Sequence, residues 1–128
     1  GTSVVLTGAI TSSGTAGIGY ATGAGGAVTQ ATSKVTAFTL SKTVGTIQFA
    51  ADALAADTSS AGATWTNTTI AANDVVIFTH SSGGTAGAYV ITCAPSAGSA
   101  NVKIRNVTPA SLSEAPIFRF AVIKGVVA

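Results

Sequence analysis

From Val35 onward the chain repeats one device: a short run of Val, Thr, Ile and Phe, then a break of Gly, Ser, Asn or Pro. The runs are VTAFTL (35–40), TIQFA (46–50), ATWTNTTI (63–70), DVVIFTH (74–80), AYVITCA (88–94), ANVKIRNV (100–107) and IFRFAVIKGV (117–126). β-Branched and aromatic residues suit a pleated, half-buried surface, and turn signals about every 8–12 residues are those of a sandwich. Good helix formers are scarce, and only AADALAA (50–56) could make a helical turn or two. With Thr2–Ile10 counted as a strand or extended arm, about eight strands are expected. The expected fold class is all-β: an antiparallel β-sandwich, jelly-roll or Greek-key-like.

The runs also suggest pairings. SKTVG, with Gly45, has hairpin length between 35–40 and 46–50, and SSGG (81–84) reads as the turn of a stronger hairpin between DVVIFTH and AYVITC. DVVIFTH is almost continuous hydrophobe, the pattern of a central strand. ATWTNTTI has no clearly apolar face, which suits an edge or an interface. In ANVKIRNV, Val102 and Ile104 should face inward with Lys103 and Arg105 outward. In the last strand Phe118 and Phe120 mark the buried face, which turns Arg119 outward to solvent or to an acidic neighbour.

Charge limits the possible functions. Only 8% of the 128 residues are charged and 47% are hydrophobic, against about 25% charged in ordinary soluble domains. No apolar run nears the roughly 18 residues of a spanning helix, so no membrane partner is expected. No basic stretch with an apolar run behind it suggests a signal peptide. The remaining reading is a surface destined to be covered by neighbours. Net charge is +2 from scattered basic residues, without the basic stripe and interleaved aromatics of a nucleic-acid binder, so no nucleic-acid partner is expected. Cys93 is alone, which rules out an internal disulfide and reads as a small buried hydrophobe.

The first part of the chain divides in two. Residues 1–16 read as an extended arm ending in the flexible TSSGTAG (11–17), and 17–128 as the sandwich domain. Val4, Val5 and Leu6 are too apolar to sit free in water, so the arm either frays or adds a strand to a neighbour's sheet. Gly17–Gly26 is glycine-dense, yet GAGGAV lacks the G-x-G-x-x-G spacing and no Walker Lys-Ser/Thr follows, so no nucleotide cofactor is expected. A tight loop at a subunit contact fits better, with Tyr20 as contact anchor or local packing residue.

Catalytic and metal chemistry find no constellation. His80 is the one histidine, the acids are Asp52, Asp57, Asp74 and Glu114, and no G-x-S-x-G elbow exists. One His and one Cys cannot fill a zinc site, and ADALAAD offers calcium only two carboxylates. His80 is expected to make a strand-end hydrogen bond, Asp52 and Asp57 to cap or solvate, and Glu114 to satisfy turn donors or pair with a base. Asn67-Thr68-Thr69 and Asn106-Val107-Thr108 match the glycosylation pattern but read as ordinary strand residues. No catalytic residue, metal or cofactor is expected, and the chain is not expected to be an enzyme.

One resemblance adds to this. GYATGAGGAVTQATSK (19–34), the TLSK beginning at Thr39, and SLSEAPIFRFAVIK (111–124) resemble a small domain of tailed-bacteriophage virion proteins of the head-fibre or head-decoration kind, over roughly residues 17–128. The resemblance implies a virion structural protein made in the bacterial host cytoplasm and placed on the capsid exterior, with the major capsid protein and its own copies, in a homotrimer, as partners. In that family the domain often follows a longer repetitive anchoring region. This chain carries almost none, which favours a self-contained decoration or cement subunit over a fibre or spike tip for host-surface glycan recognition. Contact candidates are Val4, Val5 and Leu6 in the arm, Tyr20 in the glycine loop, Trp65 as a thin aromatic platform, and Arg119 on the last strand.

Overall fold

The computed structural model describes residues 2–15 and 17–127. Among these there is no helix, and nine strands form two facing sheets. They are β1 (Gly26–Thr29), β2 (Phe38–Thr39), β3 (Val44–Gln48), β4 (Thr58–Ser59), β5 (Ala63–Thr66), β6 (Val75–Ser82), β7 (Tyr89–Ser96), β8 (Ser99–Asn106) and β9 (Ile117–Ile123). The first sheet has the order β1-β3-β9-β6. In the second, β8 is flanked on one side along its whole length by β7, and on the other by β5 and then β4, with β2 outside β5. β4 and β5 are one line broken by a bulge. Ser59 faces Arg105 and Ala63 faces Val102, so one side of the pair carries an extra residue, which Gly62 accommodates at φ 110°. The sandwich class expected from the sequence is therefore what the chain adopts. Antiparallel pairs dominate, but β1–β3 and β2–β5 are parallel, which makes both sheets mixed.

The chain alternates between sheets almost strand by strand, and this overturns both expected hairpins. β2 and β3 lie in different sheets, so 35–40 does not pair with 46–50. Gly45 is a strand residue: a Cβ there would come within 2.1 Å of the Gly26 carbonyl oxygen, so a side chain would push β1 off its neighbour. β6 and β7 are also in different sheets, and the SSGG turn, with Gly83 and Gly84 both at φ 66°, carries the chain across the sandwich. The true hairpin is β7–β8, closed at Ala97-Gly98 with Gly98 at φ 75°. A period-two pattern reports which face is buried. It does not report which strand lies alongside.

Face assignments agree with the sequence. On β8, Val102 and Ile104 are buried while Lys103 and Arg105 are exposed; on β9, Phe118, Phe120 and Val122 face the core and Arg119 faces out. Trp65 corrects the reading of ATWTNTTI: β5 lies between β2 and β8, and the indole is 0% exposed. It packs against Phe38, Phe78 and Phe120, with the Phe120 ring centroid 4.6 Å away, and its Nε1–H donates to the Leu40 carbonyl at 3.1 Å. Burial of each such large side chain is worth about 1.5–3 kcal/mol. DVVIFTH is likewise corrected, since β6 ends the first sheet rather than running through its middle. AADALAA forms no helical turn; Leu54 instead makes a reciprocal bridge with Leu112, with N–H···O distances of 2.9 and 3.0 Å.

Candidate functional site

Polar groups inside the sandwich are used to tie segments together. Lys34 is 1% exposed. Its Nζ donates to the carbonyls of Ala50 (2.7 Å), Glu114 (3.0 Å) and Asp52, while its backbone N–H donates to Asp52 Oδ1 at 2.8 Å. An ammonium has three protons, and three carbonyls take them. Nearby, Gln30 Nε2 donates to the Thr36 carbonyl and Gln30 Oε1 accepts from Ala50 N–H. The TQATSK and SLSEAP strings, about eighty residues apart in sequence, thus meet at one buried cation.

Asn67 lies just past the end of β5 and Asn106 is the last residue of β8, and both are fully buried. In each, Oδ1 accepts from the backbone N–H and the hydroxyl of the threonine two residues on, at 2.7–3.0 Å. Each Nδ2 then reaches carbonyls elsewhere: Lys42 for Asn67, and Leu54, Ala55 and Ala110 for Asn106. The Asn-x-Thr spacing is here the spacing of an Asx turn, and both amides face away from solvent.

His80, Tyr89 and Glu114 gather at one end of the sandwich. His80 Nε2 lies 3.0 Å from the Ser82 carbonyl and 2.6 Å from that of Gly83. Both are acceptors, so this nitrogen carries the proton, and the ring stacks on Phe118 at 5.0 Å. Glu114 accepts from Thr85 N–H (2.8 Å), the Thr85 hydroxyl (2.7 Å) and the Tyr89 hydroxyl (2.8 Å). These bonds, that from Thr85 N–H foremost, hold its carboxyl below the ordinary 4.5. Burial first, then Glu114, raises the Tyr89 phenol above its usual range. At the other end Asp74 is held below its ordinary 3.8, chiefly by Lys124, with Ala71 N–H also donating. Arg105 pairs with Asp57 on the surface. Among the described residues, no group of three or more His, Cys, Asp or Glu is placed to hold a metal ion.

A pH dependence follows. Carboxyls with lowered folded pKa stabilise the fold fully above their unfolded values, and that contribution is lost as pH falls through the folded ones. The urea midpoint should stay level from about pH 8 to about pH 5, then drop below the ordinary carboxylate values of 4.5 and 3.8. Glu114→Gln and Asp74→Asn should each lower the plateau and shrink the drop.

Apolar side chains remain open on the outer face of the first sheet and in a cleft at its edge. Val75, Ile77, Ala121 and Ile123 stand together on the outer face of the first sheet, since Val75 pairs with Ile123 and Ile77 with Ala121. Val75, Ile77 and Ile123 are each about half exposed. Between the free edges of β6 and β7 lies a cleft of about 340 Å³, lined among others by Val76, Phe78, His80, Ile91 and Cys93. Burial pushes the Cys93 thiol up to about 11, so at neutral pH it is a neutral, half-buried wall of this cleft.

The contact candidates fall in different places. Val4, Val5 and Leu6 are 82%, 86% and 57% exposed, and the described residues before Gly26 form no strand. Gly1 and Ala16, within the arm, lie outside the described residues. Tyr20 is half exposed, and its hydroxyl donates to the Val122 carbonyl at 2.7 Å, which pins the glycine loop to β9. Arg119 is exposed on β9, between Thr46 and Thr79 across the strands. Trp65 is inside the core and cannot serve as a surface platform, a correction to its candidacy. Sequence reading missed Lys34, because a lysine is ordinarily placed outside. It also missed the outer face of β6, although the unbroken apolar run of DVVIFTH carried that signal. Comparison with family models, curated proteins and solved structures finds no match for this chain.

Proposed function

We propose that this chain is a non-enzymatic structural protein of a tailed-phage virion, a decoration or cement subunit that binds the outside of the capsid as a trimer. The string resemblance at both ends of the domain suggests the virion. The observation that carries an assembly role is the apolar outer face formed by Val75, Ile77, Ala121 and Ile123, on a chain with 8% charged residues and an exposed Val4-Val5-Leu6 arm. A lone domain gains nothing from such surfaces, whereas a subunit held by neighbours buries them. The mechanism is mechanical: many weak contacts repeated by symmetry add through avidity. Arg119, beside the apolar face, would fix orientation against an acidic group of the capsid protein.

Imaging of intact virions carrying the protein tests the reading. Density for the sandwich at quasi-threefold positions of the head, with the outer face of the first sheet against the shell, is the expected result. Density confined to the tail or to fibre ends would replace it with host recognition.

A further inference from the structure

The exposed arm and the open edge of the sandwich have matching requirements. β6 and β7 both end their sheets, and neither carries an Asp, Glu, Lys or Arg over eight residues. Natural edge strands are normally guarded by charge, proline, a bulge or a cover; here Pro95 near the far end of β7 and the irregularity between His80 and Ser82 at the far end of β6 do so, and Val75–Thr79 stays unguarded. β6 is also apolar on both faces: Val76 and Phe78 look into the cleft and Val75 and Ile77 look out. A strand laid along β6 would therefore need apolar side chains of both parities. The stretch Ser3–Leu6 has them, with Val4 and Leu6 on one side and Val5 on the other.

Length and volume agree. Residues 2–10 would span about 30 Å as a strand, against about 26 Å for an eight-residue edge. The cleft of about 340 Å³ has room for roughly ten water-sized atoms at ~30 Å³ each, enough for a valine and a leucine side chain together. An arm of this length on such an edge covers on the order of 600 Å² on each side, about 1,200 Å² in all, the lower end for specific interfaces. Tyr20 holds the root of the arm at the Val122 carbonyl, on the β3 side of β9. The arm itself joins no strand of its own chain among the described residues and keeps Val4 and Val5 more than four-fifths exposed.

We propose that the chain self-associates by arm exchange: Thr2–Ile10 of one copy adds as a strand to the free edge of β6 in a second copy, with Val4 and Leu6 in the β6–β7 cleft and Val5 beside Val75 and Ile77. Given by each copy to the next, the contact is head-to-tail and closes into a ring when the rotation per subunit allows; exchanged reciprocally, it closes a two-fold dimer. It stands on the edge geometry alone and does not require the virion role.

The test is sedimentation of the intact chain from micromolar to about 100 µM, with hydrogen exchange on the same samples. Expected are a concentration-dependent oligomer and protection of amides in 2–10 and 75–82 that appears only on association. Val5→Pro, which removes a strand donor from the arm, and Ile77→Lys, which guards the edge, should each weaken association at least tenfold while leaving the circular dichroism of the monomer unchanged. A monomer at all concentrations overturns the proposal. So does an oligomer indifferent to both variants, or arm protection within the monomer, which would mean that the arm closes its own edge. If the isolated chain is monomeric and the arm becomes protected only on capsids, the occupant is the capsid protein and arm exchange is wrong.

Discussion

Replacing Lys34 by methionine should destabilise the domain by about 3–5 kcal/mol, although the two side chains are similar in length and both pack well. The ammonium is the shared donor for the carbonyls of Ala50, Asp52 and Glu114. Methionine offers none, and each buried acceptor left without a partner costs about 1–3 kcal/mol. Lys34→Arg should not rescue, because a planar fork cannot point three protons at carbonyls arranged around a single nitrogen. Asp52→Asn should cost less, since Asp52 Oδ1 stands 3.4 Å from the ammonium and is partly exposed. Urea unfolding at pH 7 separates the three variants. A Lys34→Met midpoint within error of wild type would mean that the clasp is ornamental and that the sandwich closes without it.

The clasp joins two distant segments of the sequence. TQATSK supplies the lysine and SLSEAP supplies one of its carbonyls, while the Phe49 N–H donates to the Pro116 carbonyl at 3.0 Å immediately beyond. TQATSK and SLSEAP therefore serve closure of the domain, while exposed apolar side chains stand on the outer face of β6 and β9 and in the arm.

How much could be read in the sequence depends on the range of the interaction. Alternation on β8 and β9 placed Val102, Ile104, Phe118, Phe120 and Arg119 on their correct faces, because side-chain direction is set within a strand. The partners of β2, β6 and β7 were not legible, since hydrogen bonding between sheets' strands is decided by contacts far along the chain. The same limit hid the Asn-x-Thr turns: Asn67 and Asn106 look like strand residues until their amides are seen reaching Lys42 and Ala110. DVVIFTH shows a different limit. Its apolar run reflects apolar side chains on both faces, and among the described residues none covers the outer one. Such a run predicts a central strand in a sheet covered on both sides; β6 instead ends its sheet, with Val75 and Ile77 about half exposed.

Trp65→Ala should be the second large loss, at about 3–5 kcal/mol. The indole is the centre of the aromatic cluster with Phe38, Phe78 and Phe120, and it also satisfies the Leu40 carbonyl. Truncation leaves a cavity between the sheets, while the Leu40 carbonyl keeps its bond from the Lys42 N–H; Trp65→Phe keeps most of the ring contact and should cost clearly less, with thermal midpoints ordering wild type, Phe and Ala. This alters how host recognition can be tested. On an exposed platform, alanine at this position would remove glycan binding and spare the fold. With the side chain 0% exposed, loss of any binding in Trp65→Ala reports unfolding, and a stable, fully folded Trp65→Ala protein would contradict the packing described above. Variants at Ile77, Ile123 and Arg119, which are on the surface and leave the core intact, are the ones that can separate capsid attachment from recognition of a host.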